Sequence, residues 1–461
     1  MVFMLSGYFV NIWLGRTLGP EDYGVYGLIT SLMTIFTLIQ LSGIPQATSK
    51  YVAEEPNSSD AVFRAAIKLQ VVTAITFSLL FYLLAIPLSA VFNDSRLVPF
   101  LQLTSIIFLP NAIFSLLVGY YNGMHLFGKQ AATNIIYSVI KTFGVITLTL
   151  FYGLKGAIYA FALTPIITVL MAGQFPKRSY VKFSYKKLVT FAMPLIVLSL
   201  VSTLQISLDL FVVKILSNNI DSAGLYTAAQ NIARIPFAAL NAVSVVMFPI
   251  IARHAVKSIT LANDTIQDSF KYMIAILLPA TALIITSSNA LVTILYGDEY
   301  SGSAPALSVL VGTYALLTVF IFLTTALNAL NKGTLSWKYS AYGVAVSCMM
   351  FPLSVPTLGL AGAGISTGAG AAVSLFLAFR ALRRISGFKV VPNSFIKILI
   401  TTFIIGALNF YITMDDWLLF PWFTSLFLLY IYALILLKVF TKNEIFGKLP
   451  FLGNSKEEKK P

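Results

Sequence analysis

Long apolar stretches free of Lys, Arg, Asp and Glu recur from one end of this chain to the other, at 23–49, 69–93, 97–124, 272–297, 300–331, 339–379 and 417–437. A helix needs about 20 such residues to cross a hydrocarbon core of roughly 30 Å. Lipid offers no hydrogen bonds, so a chain crossing it as helices satisfies its backbone internally. Apolar runs with a single interior charge fill the gaps, and 339–379 is long enough for two helices. About fourteen candidate helices result, centred near residues 10, 36, 79, 109, 141, 164, 202, 238, 282, 316, 345, 370, 405 and 428. Hydrophobic residues make up 58% of the chain and charged residues only 10%, where a soluble domain carries about a quarter charged. The fold class this dictates is an all-α polytopic membrane protein.

The basic residues orient the helices. With the N-terminus inside, the outer loops hold only Arg16, Arg96, Lys155 and Lys214, while Lys141 and Arg234 lie within helices. Every other Lys and Arg falls on the inner side, which puts both termini in the cytoplasm. This asymmetry accounts for most of the net charge of +14, so neither nucleic acid nor a cofactor is needed to explain it. One cysteine, Cys348, excludes disulfides and a thiolate metal site, and two isolated histidines, His125 and His254, make no metal centre. The first helix is short: Val2 to Leu18 precede the first polar turn, without the basic n-region or cleavage site of a signal peptide. Either the chain starts upstream or this helix is abbreviated.

The chain also repeats itself. Gly24-Val25-Tyr26 returns as Gly224-Leu225-Tyr226, Pro45 as Pro249, and Gly153-Leu154-Lys155-Gly156-Ala157 as Gly359-Leu360-Ala361-Gly362-Ala363. Order is kept while the offset drifts slowly, as duplication of a six-helix unit predicts. The expected domains are an N-terminal lobe, 1–175, a basic inter-lobe loop, 176–188, and a C-terminal lobe, 189–380. Two extra helices follow in 395–440, then a basic tail, 441–461. An even number of helices per copy makes the lobes parallel repeats, a layout used by alternating-access transporters.

Three segments carry a family resemblance: L-G-R-T-L-G-P-E-D-Y-G-V-Y (14–26), G-I-P-Q-A-T-S-K-Y-V-A-E (43–54), and D-L-F-V-V with G-L-Y-T-A-A-Q-N-I-A-R-I-P (209–236). They resemble the polysaccharide-biosynthesis flippases, the Wzx-like and stage-V-sporulation-B-like branch of the multidrug/oligosaccharidyl-lipid/polysaccharide exporter superfamily. The likeness extends over essentially the whole chain in helix count and order. It implies a MATE-like fold and the flipping of a polyprenyl-diphosphate-linked sugar by alternating access through a cationic cavity, with membrane-embedded Arg and Lys as headgroup ligands. It also implies a role for the last two helices in guiding the polyprenyl tail.

Charges deep in apolar helices cost at least about 2.5–3.5 kcal/mol each, so they mark candidate sites. Arg234 and Lys141 both lie about ten residues into their helices, roughly 15 Å deep. Facing one cavity, they would clamp a diphosphate, Arg bidentately and Lys as a point charge; the local alternatives are Asp209 for Arg234 and helix-end carbonyls for Lys141. Asp209, near the outer end of its helix, is read first as an ion-pair partner of Lys214 or Arg234, and otherwise as a gate or an H+ or Na+ coupling site. Arg16 with the Glu21-Asp22 turn reads as an outer gate or a solvated loop. Gln40, Asn134, Gln205, Gln230, Asn231 and Asn241 are candidates for sugar hydroxyls, against interhelical hydrogen bonding, a choice shared by Gln46 and Asn111. Pro45 and Pro236 are candidate hinges.

Gly364-x-x-x-Gly368 reads as close helix packing, not a nucleotide loop. No paired carboxylates, nucleophile–base set or phosphate loop points to an enzyme. Two other readings stand beside the flippase: a cation-coupled multidrug exporter of the same superfamily, which would favour acidic cavity residues, and a polytopic glycosyltransferase or polymerase, which would need a large outer loop. With two lobes in one chain, a monomer suffices; lipid-linked glycan and membrane lipids are the expected partners.

Overall fold

The computed structural model of the chain describes residues 2–173, 183–217, 221–412, 414 and 417–440. Most of the inter-lobe loop 176–188 and the tail 441–461 lie outside the described residues. The order is α1 (Val2–Ser42), α2 (Ile44–Glu54), α3 (Ser59–Val91), α4 (Leu97–Thr104), α5 (Phe108–Gly123), α6 (Phe127–Ala172) and α7 (Tyr185–Leu216). There follow α8 (Ser222–Lys257), α9 (Ile259–Thr286), α10 (Ser288–Tyr296), α11 (Ala304–Ala329), α12 (Gly333–Ser386), α13 (Pro392–Tyr411) and α14 (Leu419–Leu436). Short 3-10 turns occur beside them, and no strand occurs among the described residues.

Eleven helical stretches among the described residues are long and apolar enough to cross a membrane. Their outward faces are those of a lipid-embedded protein: Phe151, Leu170 and Phe403 are 76%, 79% and 78% exposed. Ser and Thr hydroxyls turn inward onto their own helices, as where Thr164 donates to the Ala160 carbonyl at 2.7 Å and Thr168 to that of Thr164 at 2.7 Å. This back-bonding satisfies groups that lipid cannot.

Three helices are too long for one crossing. α1, α6 and α12 hold 41, 46 and 54 residues, or roughly 60, 70 and 80 Å if straight. Each breaks at one glycine. Gly19 takes φ 74, ψ 169, and Pro20 behind it disfavours helical backbone at that position. Gly153 takes φ 56, ψ −140 and Gly359 takes φ 58, ψ −137, a region closed to side chains. The two breaks are copies in sequence and in conformation. After each the chain doubles back: a Cβ on Gly156 would fall on the carbonyl of Leu148, and one on Gly362 on that of Ser354. Residues eight apart in a straight helix lie about 12 Å apart.

By contacts the chain forms two compact units, Met1–Ala228 and Ala229–Pro461. The first includes α7 and the start of α8, which the repeat pattern assigns to the C-terminal lobe. In it α1 packs on α5, α6 and α7, and α2 sits between α3 and α5 over a core of Val62, Phe63, Leu116, Leu117 and Tyr121. In the second unit α11 packs along α12 and α9, and α9 carries α13, which carries α14. Its core gathers Phe270, Phe322, Leu323, Phe388 and Tyr430. Gly364 packs on Val309 and Gly368 on Thr313, whose hydroxyl donates to the Gly364 carbonyl at 2.9 Å; this is the close helix packing read from the sequence.

Candidate functional site

Asp209 is 1% exposed in α7. Its Oδ2 accepts from the Tyr226 hydroxyl at 2.8 Å and its Oδ1 from the Leu210 N–H at 2.9 Å. Tyr226 is the repeat copy of Tyr26 and is itself fully buried. Lys214, an expected partner of Asp209, instead donates to Asp94 Oδ2 at 2.9 Å. Five residues, more than one helical turn, separate Asp209 from Lys214 in sequence, and the lysine reaches the α3–α4 loop. That loop acid, overlooked in the sequence, anchors an ion cluster at the lysine-poor face. Arg96 donates to it from Nε at 3.0 Å and from Nη2 at 2.9 Å, and bonds Glu21 through Nη1. Burial alone would push the Asp94 carboxyl up; hydrogen bonds from Arg96 and Lys214, with their charges, outweigh this and hold it at about 2. Arg16 is exposed on α1, and the cluster draws on Arg96 together with Glu21.

Lys141 lies in α6 with its Nζ 5.0 Å from the centroid of the Phe161 ring, across the Gly153 turn. Phe161 stacks on Tyr26 at 6.2 Å, and Tyr26 on Tyr23 at 5.7 Å. The ammonium therefore ends a run of aromatic faces, a cation–π setting where helix-end carbonyls were the local expectation. Doubling α6 back on itself is what brings residues twenty apart in sequence together.

Arg234, in the α8 segment of the second unit, donates from Nε to the Tyr314 hydroxyl at 2.8 Å, with its guanidinium carbon 5.6 Å from that ring's centroid. Tyr314 is 2% exposed and its ring meets Phe237 edge-on at 5.4 Å. Tyr314 thus engages the Nε donor and sets the plane of the guanidinium, a planar group suited to phosphate or carboxylate oxygens.

The amides divide. Gln40 is 3% exposed, and neither its Oε1 nor its Nε2 has a hydrogen-bond partner; the same holds for Asn241 Oδ1. Gln205 and Gln230 are buried, and Asn134 and Asn231 half-buried. The chain breaks between α1 and α2, where Gly43 is non-helical and Pro45 falls in the first turn of α2. Gln70, not singled out from sequence, repairs the break: its Nε2 donates to the Gln40 carbonyl at 3.1 Å, a group that a continuous helix would satisfy itself. α8 runs unbroken through Pro236. Among the described residues no group of three or more His, Cys, Asp or Glu could hold a metal ion.

Among solved structures, the lipid II flippase MurJ in an inward closed conformation is similar with a TM-score of 0.77 at 14% identity, covering 96% of each chain. An inward-facing MATE-family multidrug resistance transporter of the MOP superfamily matches with a TM-score of 0.71 at 17% identity, over 84% of this chain and 94% of that one. These likenesses establish the polytopic fold. In sequence, the chain is 23% identical to the probable low-salt glycan biosynthesis flippase Agl15 of Haloferax volcanii, over 79% of this chain and 77% of that protein. It is 22% identical to the stage V sporulation protein B of Bacillus subtilis, over 98% and 96%. Residues 13–305 match the family described as "Polysaccharide biosynthesis protein", and the chain belongs to that family.

Proposed function

We infer that this multi-pass membrane protein is a flippase that carries a polyprenyl-diphosphate-linked oligosaccharide across the cytoplasmic membrane by alternating access, and that it is not an enzyme. The observation that carries this is the setting of Arg234. A guanidinium within an apolar helix is held at Nε by the Tyr314 hydroxyl, which fixes its plane at a depth where a cation is costly unless it serves a function. Lys141, against Phe161 in the other unit, is the second proposed headgroup ligand. Membership of the family and likeness to flippases over most of the chain support the substrate class.

The finer parts belong to the same reading. Counting each broken helix as two spans gives fourteen, arranged as lobes 1–175 and 189–380 with 395–440 added; both termini are cytoplasmic by the distribution of Lys and Arg. A single chain suffices. Gln40 and Asn241, whose buried amide atoms lack partners, are the best supported sugar contacts, because such atoms cost about 1–3 kcal/mol unless something meets them. Asp209 is the proposed coupling residue for H+ or Na+, with Tyr226 holding its carboxylate, and Pro45 is the proposed hinge.

The test is native mass spectrometry of the purified protein with a polyprenyl-diphosphate lipid and with an organic cation, for wild type and for Arg234→Ala with Lys141→Ala. The expected result is diphosphate-lipid binding that collapses at least about tenfold in the double variant, as loss of a charge-assisted contact implies. Equal lipid binding by both proteins would sink the site. Preference for the organic cation would make the chain a multidrug exporter, with Asp209 its next candidate.

A further inference from the structure

The second unit carries a cup and a groove that lie apart from Arg234. The cup lies where α9 meets the start of α13, at the lysine-rich face. Two adjoining open hollows share Gln267 and Lys389 in their walls; Lys271 and Ser394 line one and Arg383 the other. Asp268 also lines the first, so three cations face one carboxylate. Lys271 is half-buried, and its side chain lines the cup while its Nζ lies 4.5 Å from the centroid of the Phe440 ring. Val391 reaches the cup in extended form, and α13 starts there at Pro392 without a side-chain cap, so the positive end of a 20-residue helix adds to the field.

Farther along the same α9–α13 seam runs an open apolar groove, walled by Ile285, Leu399, Phe403, Gly406, Phe410 and Tyr411. Along the same helix bare apolar side chains turn outward: Ile396 and Ile400 are 52% and 55% exposed. A basic cup at the interface and an apolar groove running into the bilayer have together the form of one lipid, head and tail.

We propose that this seam binds an anionic glycerophospholipid, its phosphate in the Lys271–Arg383–Lys389 cup and one acyl chain in the α9–α13 groove. The chemistry is that of basic pockets between spanning helices, which take acidic headgroups. The length selects the occupant. Leu399 to Tyr411 rises about 18 Å, a little more than one leaflet of a roughly 30 Å core, which suits an acyl chain and would be overrun by a polyprenyl tail. Placing the cup at the inner leaflet rests on the topology of the functional reading; the site itself does not.

The test is native mass spectrometry of the full chain in detergent, titrated with phosphatidylglycerol, with phosphatidylcholine and, separately, with a polyprenyl diphosphate. Wild type is expected to hold phosphatidylglycerol severalfold better than phosphatidylcholine. Lys271→Gln with Lys389→Gln is expected to lose that preference, about fivefold per lysine; Lys271→Arg with Lys389→Arg is expected to keep it. Gly406→Leu, which fills the groove against Ala282, is expected to weaken both phospholipids alike. Undiminished phosphatidylglycerol preference in the double Gln variant overturns the proposal. So does polyprenyl diphosphate displacing phosphatidylglycerol from wild type and losing its own binding in that variant, since the cup then belongs to the substrate. Polyprenyl-diphosphate binding that depends on Arg234 and Lys141 but ignores the cup keeps the two readings separable.

Discussion

Gly24 and Gly224, the same position of a motif repeated two hundred residues apart, lie against each other within the first unit. A Cβ on Gly24 would stop 2.7 Å from the Gly224 nitrogen, and one on Gly224 would fall on the Pro20 carbonyl oxygen. One turn on, Gly27 meets Thr227, again at the same offset. Equivalent residues touch where two copies of a repeat cross, so this contact marks the place where α1 and α8 close on one another. The obstacles at Gly24 and Gly224 are backbone, which cannot swing aside. Gly224→Ala should therefore cost about 1–3 kcal/mol by overpacking, seen as a lowered unfolding midpoint in detergent. Gly24→Ala, whose Cβ would meet the Gly224 nitrogen, should lower the midpoint as well, and an unchanged midpoint in both variants would count against so tight a crossing.

The glycines at the turns should behave differently. Gly153 and Gly359 have no atom within 4 Å of where a Cβ would stand, so space is not their constraint; backbone conformation is. Gly153→Ala and Gly359→Ala should each cost about 1–3 kcal/mol, by similar amounts because the two turns share φ and ψ. Thermal unfolding of the two single variants checks this. A large loss at one site and none at the other would mean that the turns are not equivalent.

Much of this was legible in the sequence because it rests on local rules. Apolar length placed the helices, the polar turn after Leu18 separated the first two, and Gly153 recurred as Gly359 within the repeat. What escaped were partners brought together by tertiary packing. Asp94 stands in a short loop with nothing to distinguish it until α7 delivers Lys214; an acid two residues from Arg96 in an otherwise charge-poor loop was the available hint. Tyr314 could not be assigned to Arg234 across eighty residues of helix. Gln70 looked like one more amide in a membrane helix, yet it caps a broken one.

Asp94 also gives a pH test with a definite sign. Its folded pKa of about 2 lies below its ordinary value of 3.8. The stabilisation it supplies is thus fully present above about pH 4 and is lost only as pH falls towards 2. After discounting the half-exposed Arg96 for screening, that is about 1–2 kcal/mol. The difference in unfolding midpoint between wild type and Asp94→Asn should stay constant from pH 8 to pH 5 and begin to shrink only below about pH 4. Disappearance of the difference between pH 7 and pH 5 would show that Arg96 and Lys214 do not hold the carboxylate. Because Glu21, Asp94 and Lys214 come from three separate segments, Asp94→Asn should also speed labelling of a cysteine placed at position 93.

The last two helices are fastened by one amide. Asn409 of α13 is 1% exposed; its Nδ2 donates to the hydroxyls of Thr286 and Ser287 at 2.7 Å each, and its Oδ1 accepts from Trp422 Nε1 at 3.0 Å. The residue thus joins the end of α9, the end of α13 and α14 at a buried site where water offers no substitute partner. Asn409→Leu would leave the indole N–H and both hydroxyls without it, at about 1–3 kcal/mol. The effect should be local, because the residue sits at the far end of the α9–α13 seam, against Thr286 and Ser287. With Trp422 kept as the sole tryptophan, its emission should shift and its quenching by a lipid-borne quencher should rise, while α11 and α12 keep their amide protection. If Trp422 emission is unmoved, packing of Trp422, Phe423 and Leu426 on the second core is enough to dock α14, and the amide serves only to satisfy itself.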